Sequence, residues 1–316
     1  MLLPTIVILI GLIGLLWSAD RFVGAAAATA YQAGMSAMLV GMTIVALGTS
    51  APEIIVSIMA SLDGTPNLAT GNALGSNIAN IGLVLGITAL VMPIPVRFSI
   101  VRRELPLLLG ATGLAGYTLA NGILGRFDAL FLLILLAFSL WWLFRADSPD
   151  DESLADNVPA MALPKALVWL TLTLALLVVS SRLLVWGATR LALELGVSEL
   201  VIGLTIVAIG TSLPEVAACV ASALKRHHDI AIGNVIGSNL FNMLAVLPIP
   251  GLLAPGSIDP AAGGRDFPIM LILTLALGAV LLWQRRGVVG RVPGTLLLLA
   301  YAGYLGLLMV NGMTFA

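Results

Sequence analysis

Glu53 and Glu215 stand in nearly the same setting, GMTIVALGTSAPE at 41–53 and GLTIVAIGTSLPE at 203–215, 162 residues apart. A second block repeats at the same offset without insertion, GNALGSNIAN at 71–80 and GNVIGSNLFN at 233–242. A charge at the centre of a lipid-buried helix costs about 2.5–3.5 kcal/mol on insertion scales, so two in matched positions read as one binding site built from two halves. Pro52 has no N–H and its ring clashes with the Gly48 carbonyl, which predicts a kink or break there. Carbonyls from Ala46 to Thr49 are then expected to lose intrahelical partners, and in lipid they must find another donor or a cation. Thr49 and Glu53 share a face by their i, i+4 spacing, and Ser50 adds a hydroxyl. Ala208, Thr211, Ser212, Pro214 and Glu215 repeat the set. The second block adds Ser76 with Asn80 and Ser238 with Asn242, while Asn77 and Asn239 lie one residue round. Glycines 71, 75, 233 and 237 are expected to let helix backbones approach closely.

These donors are carboxylate, hydroxyl, amide and carbonyl oxygens, with no nitrogen or sulfur among them. That selects hard cations such as Ca²⁺ or Na⁺ over softer metals. Two glutamates neutralise one Ca²⁺ or two Na⁺, the balance an antiporter needs to load one site alternately. The plainer alternative is structural, because Gly, Pro, Ser and Thr serve as kinks and contacts in membrane helices, and a lone Glu can pair with a buried base. No Lys, Arg or His lies near either glutamate in its own helix, and the duplication favours a site.

The elements that carry these residues follow from composition. The chain has 316 residues, 59% hydrophobic and 10% charged, where soluble domains carry about 25% charge. It reads as an all-α polytopic membrane protein. Apolar runs predict ten transmembrane helices near 4–30, 36–61, 67–92, 103–121, 125–145, 164–191, 198–223, 229–254, 266–284 and 293–313. The first run lacks a basic start and reads as a retained helix. Residues 146–163 form an acidic cytoplasmic linker between two five-helix repeats, 1–145 and 164–316. Five is odd, so the second repeat is inverted relative to the first. With both termini outside, the inner loops hold Arg97, Arg102, Arg103, Arg145, Lys165, Lys225, Arg226, Arg285, Arg286 and Arg291, against Arg126 and Arg265 outside. A net charge of −1 gives no reason to expect nucleic acid, and the single Cys219, read as a small buried residue, excludes an intramolecular disulfide.

On its GTS-x-PE and GN-x-x-GSN-x-x-N blocks the chain resembles the cation/Ca²⁺ antiporter superfamily, most closely the prokaryotic Na⁺/Ca²⁺ exchangers with two α-repeats. The resemblance implies an antiporter of the inner membrane, not an enzyme, with Ca²⁺ and Na⁺ as substrates, the lipid bilayer as surroundings, no cofactor and no obligatory protein partner. It implies Ca²⁺ at Glu53, Glu215, Thr49 and Thr211. It implies Na⁺ at Ser50, Ser76, Ser212 and Ser238 and at the carbonyls of Ala46 and Ala208, with Asn80 and Asn242 completing the centre. Helices 1 and 6 are expected to slide across the others during alternating access. Some relatives, including the K⁺-dependent branch, carry aspartate where this chain has Asn242, which implies K⁺-independent exchange. A ratio of three Na⁺ to one Ca²⁺ would make the cycle electrogenic.

A H⁺/Ca²⁺ antiporter using the same glutamates is the nearest alternative, and the flanking hydroxyls favour Na⁺. An intramembrane hydrolase at Ser50 or Ser212 lacks a base, and a passive channel is the remaining class. His227 and His228 read as a solvated loop. Asp20 beside Arg21 reads as an interfacial anchor, with coupling to helix sliding as the alternative. Trp141, Trp142, Trp283 and Tyr301 fit interfacial belts or lipid contacts.

Overall fold

The computed structural model describes residues 2–96, 98–146, 161–196, 208–283 and 287–314. Arg97, most of the acidic linker, residues 197–207 with the GLTIV stretch of the second repeat, Arg285 and Arg286 lie outside the described residues, as does the Trp283 side chain. The protein is mostly helical: α1 (Leu2–Ala33), α2 (Ala37–Thr49), α3 (Ala51–Leu62), α4 (Pro66–Val91), α5 (Phe98–Leu119), α6 (Arg126–Ala146), α7 (Leu163–Glu194), α8 (Ala208–Thr211), α9 (Leu213–Leu224), α10 (His228–Leu253), α11 (Ala262–Leu282) and α12 (Arg291–Thr314). Among the described residues seven of these are long and apolar enough to cross a membrane, and the α2–α3 pair, bent by 42°, makes an eighth. Of the other two expected spans, the one at 198–223 is described only from residue 208 on. The first turns of α5 carry Arg102, Arg103, Glu104 and Pro106, and α9 has only 12 residues.

Helix starts follow their caps. Ser36 accepts the Leu39 N–H at 3.0 Å to begin α2, and Pro66 stands at the start of α4. Between α1 and α2 the chain turns at Gly34, whose φ of 61° suits glycine. Helices α4 and α10 run through the middle and are the most buried spans, whereas α1, α6, α7 and α12 turn large apolar faces outward. The long helices α1 and α7 lie against each other, and small residues permit the approach: a methyl on Gly11 would sit 2.8 Å from Leu184 N. Two antiparallel clips join loops from the two halves. β1 (Ile94–Pro95) pairs with β4 (Val288–Val289), and β2 (Ile123–Leu124) pairs with β3 (Gly256–Ser257).

Several sequence expectations change here. Tyr301 is buried against Gly82 rather than facing lipid, while Trp141 and Trp142 are exposed. The Asp20 side chain pairs with Lys225 at 2.8 Å, and Arg21 instead lies over the Trp17 ring. His227 is buried rather than solvated; burial, then the charge of Lys225, pushes its pKa below the usual histidine value. Helix α7, one of the two helices expected to slide, carries Arg182 close to its midpoint.

Candidate functional site

Each half breaks its helix at the serine of GTS. Ser50 has φ −83° and ψ 2°, and Ser212 has φ −90° and ψ 3°. Pro52 and Pro214 then fall in the first turn of α3 and α9, where a missing N–H is tolerated. The expected release of carbonyls is narrower than the sequence suggested. Pro52 deprives Gly48 of its amide, but the Ala46 carbonyl still accepts the Ser50 N–H at 2.9 Å and the Thr49 hydroxyl at 3.4 Å. In the second half the Ser212 N–H reaches the Ile209 carbonyl at 3.1 Å. The breaks also put Glu53 and Glu215 in the first turns of α3 and α9, where the helix dipole favours a negative group.

The two second blocks run through the middle of α4 and α10. Asn80 and Asn242 each open a π-helical turn, Asn80–Val84 and Asn242–Val246. Such wide turns recur at functional sites. Nothing in the residue types announced them.

Thr49, Ser50, Glu53, Ser76, Asn80, Ser212, Glu215, Ser238 and Asn242 are all buried. Glu53 and Glu215, each 2% exposed, lie close enough for the charge of Glu53 to act on Glu215, and the Thr49 side chain also faces Glu215. The two repeats therefore meet at their carboxylates. Ser50 Oγ, Glu53 Oε2, Ser212 Oγ, Glu215 Oε2, Ser238 Oγ and both amide atoms of Asn242 make no hydrogen bond within the protein. Buried polar atoms are nearly always partnered, so a concentration of exceptions marks a place shaped for something else. Thr211 departs from its counterpart, being half-buried on the wall of a cleft while Thr49 is enclosed. Ala208 contributes backbone at the start of α8, its side chain lying outside the described residues.

Sequence reasoning passed over the asparagine of each GN pair. Asn234 accepts the Thr49 hydroxyl at 3.1 Å and donates to Cys219 Sγ at 3.2 Å, tying α2, α9 and α10 together. Asn72 donates to the Glu53 carbonyl at 3.2 Å. Their repetition in the motif was the available signal. Asn77 donates to the Asn239 carbonyl at 3.2 Å and joins α4 to α10. Gly233 and Gly237 make the expected close approach: a methyl on Gly233 would sit 2.7 Å from Met38 O, and one on Gly237 would collide with Met42 O. No described atom lies within 4 Å of such a methyl on Gly71 or Gly75.

A cleft of about 270 Å³ leads to this cluster between α7, α3 and the α8–α9 break. Pro52, Val56, Arg182, Thr211 and Pro214 are among its walls, so it ends beside the residues preceding both glutamates.

The profile of the family described as "Sodium/calcium exchanger protein" matches residues 3–145 and 165–310. The putative antiporter CaxA of Alkalimonas amylolytica is 49% identical over 96% of this chain and 98% of its own length. The inner membrane protein YrbG of Escherichia coli K12 is 44% identical over 98% and 97%. A structure of the sodium-calcium exchanger NCX_Mj soaked with Na⁺ and Ca²⁺ superposes with a TM-score of 0.83 at 32% identity, covering 97% of this chain and 98% of that one. A family match over both halves, with relatives aligned end to end, places the chain in the sodium/calcium exchanger family, as a multi-pass membrane antiporter and not an enzyme.

Proposed function

We propose that the protein exchanges Na⁺ for Ca²⁺ by alternating access, through one central site shared by two inverted five-helix repeats that supply ten spans in all. The repeats are residues 1–145 and 164–316, joined by the linker at 146–163. The observation that carries this reading is the set of buried, unpartnered oxygens on Ser50, Glu53, Ser212, Glu215, Ser238 and Asn242, drawn from both halves. Glu53 and Glu215 bind Ca²⁺ with Thr49 and Thr211. Ser50, Ser76, Ser212 and Ser238, with the carbonyls of Ala46 and Ala208, hold Na⁺ around them, and Asn80 and Asn242 complete the centre. All are hard oxygen donors. Asn242 adds no third charge, so transport is independent of K⁺. Three Na⁺ against one Ca²⁺ moves one net charge per cycle, worth about 2.3 kcal/mol per 100 mV. The name of YrbG and the positive-inside bias support an inner-membrane location with both termini outside. In that orientation the cleft between α7 and α3 opens to the extracytoplasmic face.

⁴⁵Ca²⁺ uptake into vesicles tests the driving ion. An imposed Na⁺ gradient is expected to drive uptake, and uptake is expected to persist when K⁺ is removed from both sides. Uptake driven only by a pH gradient would establish H⁺/Ca²⁺ exchange instead.

A second test concerns Thr49. Its hydroxyl lies 3.1 Å from Asn234 Oδ1 and 3.4 Å from the Ala46 carbonyl, and donation to either leaves the oxygen lone pairs for a cation. Asn234→Ala frees that hydroxyl to rotate, and a hydrogen bond of about 0.5–1.5 kcal/mol predicts a roughly two- to tenfold rise in the Ca²⁺ concentration for half-maximal uptake. An unchanged concentration dependence would show that Asn234 does not position Thr49.

A further inference from the structure

The offset that aligns Gly41 with Gly203 also aligns Asp20 with Arg182 and Asp63 with Lys225. These four residues form two matched pairs of opposite polarity. Asp20 on α1 accepts the Lys225 ammonium at 2.8 Å, and Lys225 also donates to the Asp20 carbonyl. Helix α1 packs along α9 there. At the equivalent place in the other half, Arg182 of α7 lines the open cleft, with Pro52 and Val56 of α3 opposite. Arg182 and Asp63 form no ion pair among the described residues. The same backbone corner carries both partners. Asp63 ends α3 at φ −78° and ψ 5°, Lys225 ends α9 at φ −82° and ψ 4°, and the next residues, Gly64 and Arg226, have φ of 76° and 63°. The chain therefore holds two copies of one joint, closed in one half and open in the other, with acid and base exchanged between helix and corner.

An arginine near the middle of a membrane helix is costly unless it faces water or a counter-charge. Here Arg182 faces the cleft; were α7 to close on α3 as α1 closes on α9, the same repeat geometry would bring it to Asp63. We propose that Asp20–Lys225 and Arg182–Asp63 are alternative latches at the two ends of the transport path, one forming as the other opens. This rests on the inverted-repeat, alternating-access reading above. The exchanged polarity lets each end close on a neutral pair. An exposed ion pair biases an equilibrium by roughly 1.5- to fivefold, enough to tilt the cycle without locking it.

The test uses full-length protein in vesicles, in a Cys219→Ala background, with a short bifunctional thiol reagent. Asp20→Cys with Lys225→Cys and Asp63→Cys with Arg182→Cys are each expected to cross-link. With all four cysteines present, closing one pair is expected to prevent the other. Both bridges in one molecule would overturn the proposal, as would the absence of an Asp63–Arg182 bridge in vesicles that exchange Ca²⁺. In an otherwise native chain, Lys225→Gln and Arg182→Gln are expected to shift the ratio of Ca²⁺ half-saturation at the two faces in opposite directions, by roughly 1.5- to fivefold. Shifts in one direction, or none, would also overturn it. Exclusive cross-linking in a protein whose native chain shows no Na⁺/Ca²⁺ flux would instead reject the exchanger reading and leave the latches standing.

Discussion

Glu215→Gln is expected to abolish Ca²⁺ exchange while raising the melting temperature of the ion-free protein at alkaline pH, and Glu53→Gln is expected to do the same. Each carboxylate is 2% exposed, has an oxygen without a partner in the protein, and lies within electrostatic reach of the other. Glutamine keeps the shape and removes the charge. A buried carboxylate that is ionised without a counter-charge destabilises the fold, so at alkaline pH its loss stabilises the empty protein. The same loss strips the site of half its neutralising charge. At about 4 Å and an effective dielectric near 20, a pair of unit charges is worth about 4 kcal/mol, and a carboxylate against divalent Ca²⁺ about twice that, well over a thousandfold in binding. Ca²⁺ should raise the melting temperature of the wild type and leave the variants unmoved, since only a ligand bound to the folded state stabilises it. Full exchange in either variant would remove the two-carboxylate centre from the account.

The second large effect belongs to a glycine. Gly237→Ala is expected to lower exchange at least tenfold and to destabilise the fold by about 1–3 kcal/mol. The added methyl would collide with Met42 O, and it would lie 2.6 Å from Met42 Cα and 2.8 Å from Ala46 Cβ. The first two are backbone atoms, which cannot escape by changing rotamer. The adjustment must move α2 away from α10, carrying Ala46, Thr49 and Ser50 with it. Gly303→Ala in α12 is the control, because no described atom lies within 4 Å of the new methyl. That variant should keep its transport and gain up to about 1 kcal/mol from helix propensity. Melting curves and flux measured side by side separate the two. Equal behaviour would mean that the α2–α10 contact does not position the site.

Much of this could be read from the chain because the signals are local. Apolar runs at 36–61, 67–92 and 229–254 foretell helices close to the observed bounds, and the proline and glycine of GTS-x-PE foretell the breaks at Ser50 and Ser212. The residues gathered at the centre were legible because duplication exposed them against an oily background. What the chain hid depends on contacts between distant segments. Asp20 meets Lys225 across 205 residues, Thr49 meets Asn234 across 185, and no local pattern encodes either pairing. Tyr301 carries the signature of an interfacial residue and is buried because Gly82 leaves room for it. The π-helical turns at Asn80 and Asn242 change the helical register by one residue, below what apolar periodicity resolves.

The central claim is that one site, holding two carboxylates, takes Ca²⁺ or Na⁺ in turn. Equilibrium ⁴⁵Ca²⁺ binding to the purified protein tests it most directly. The expected result is a single saturable site, emptied by Na⁺ with a dependence steeper than first order, and absent from Glu53→Gln and Glu215→Gln. Ca²⁺ binding that Na⁺ fails to displace, or that survives in both variants, would contradict it.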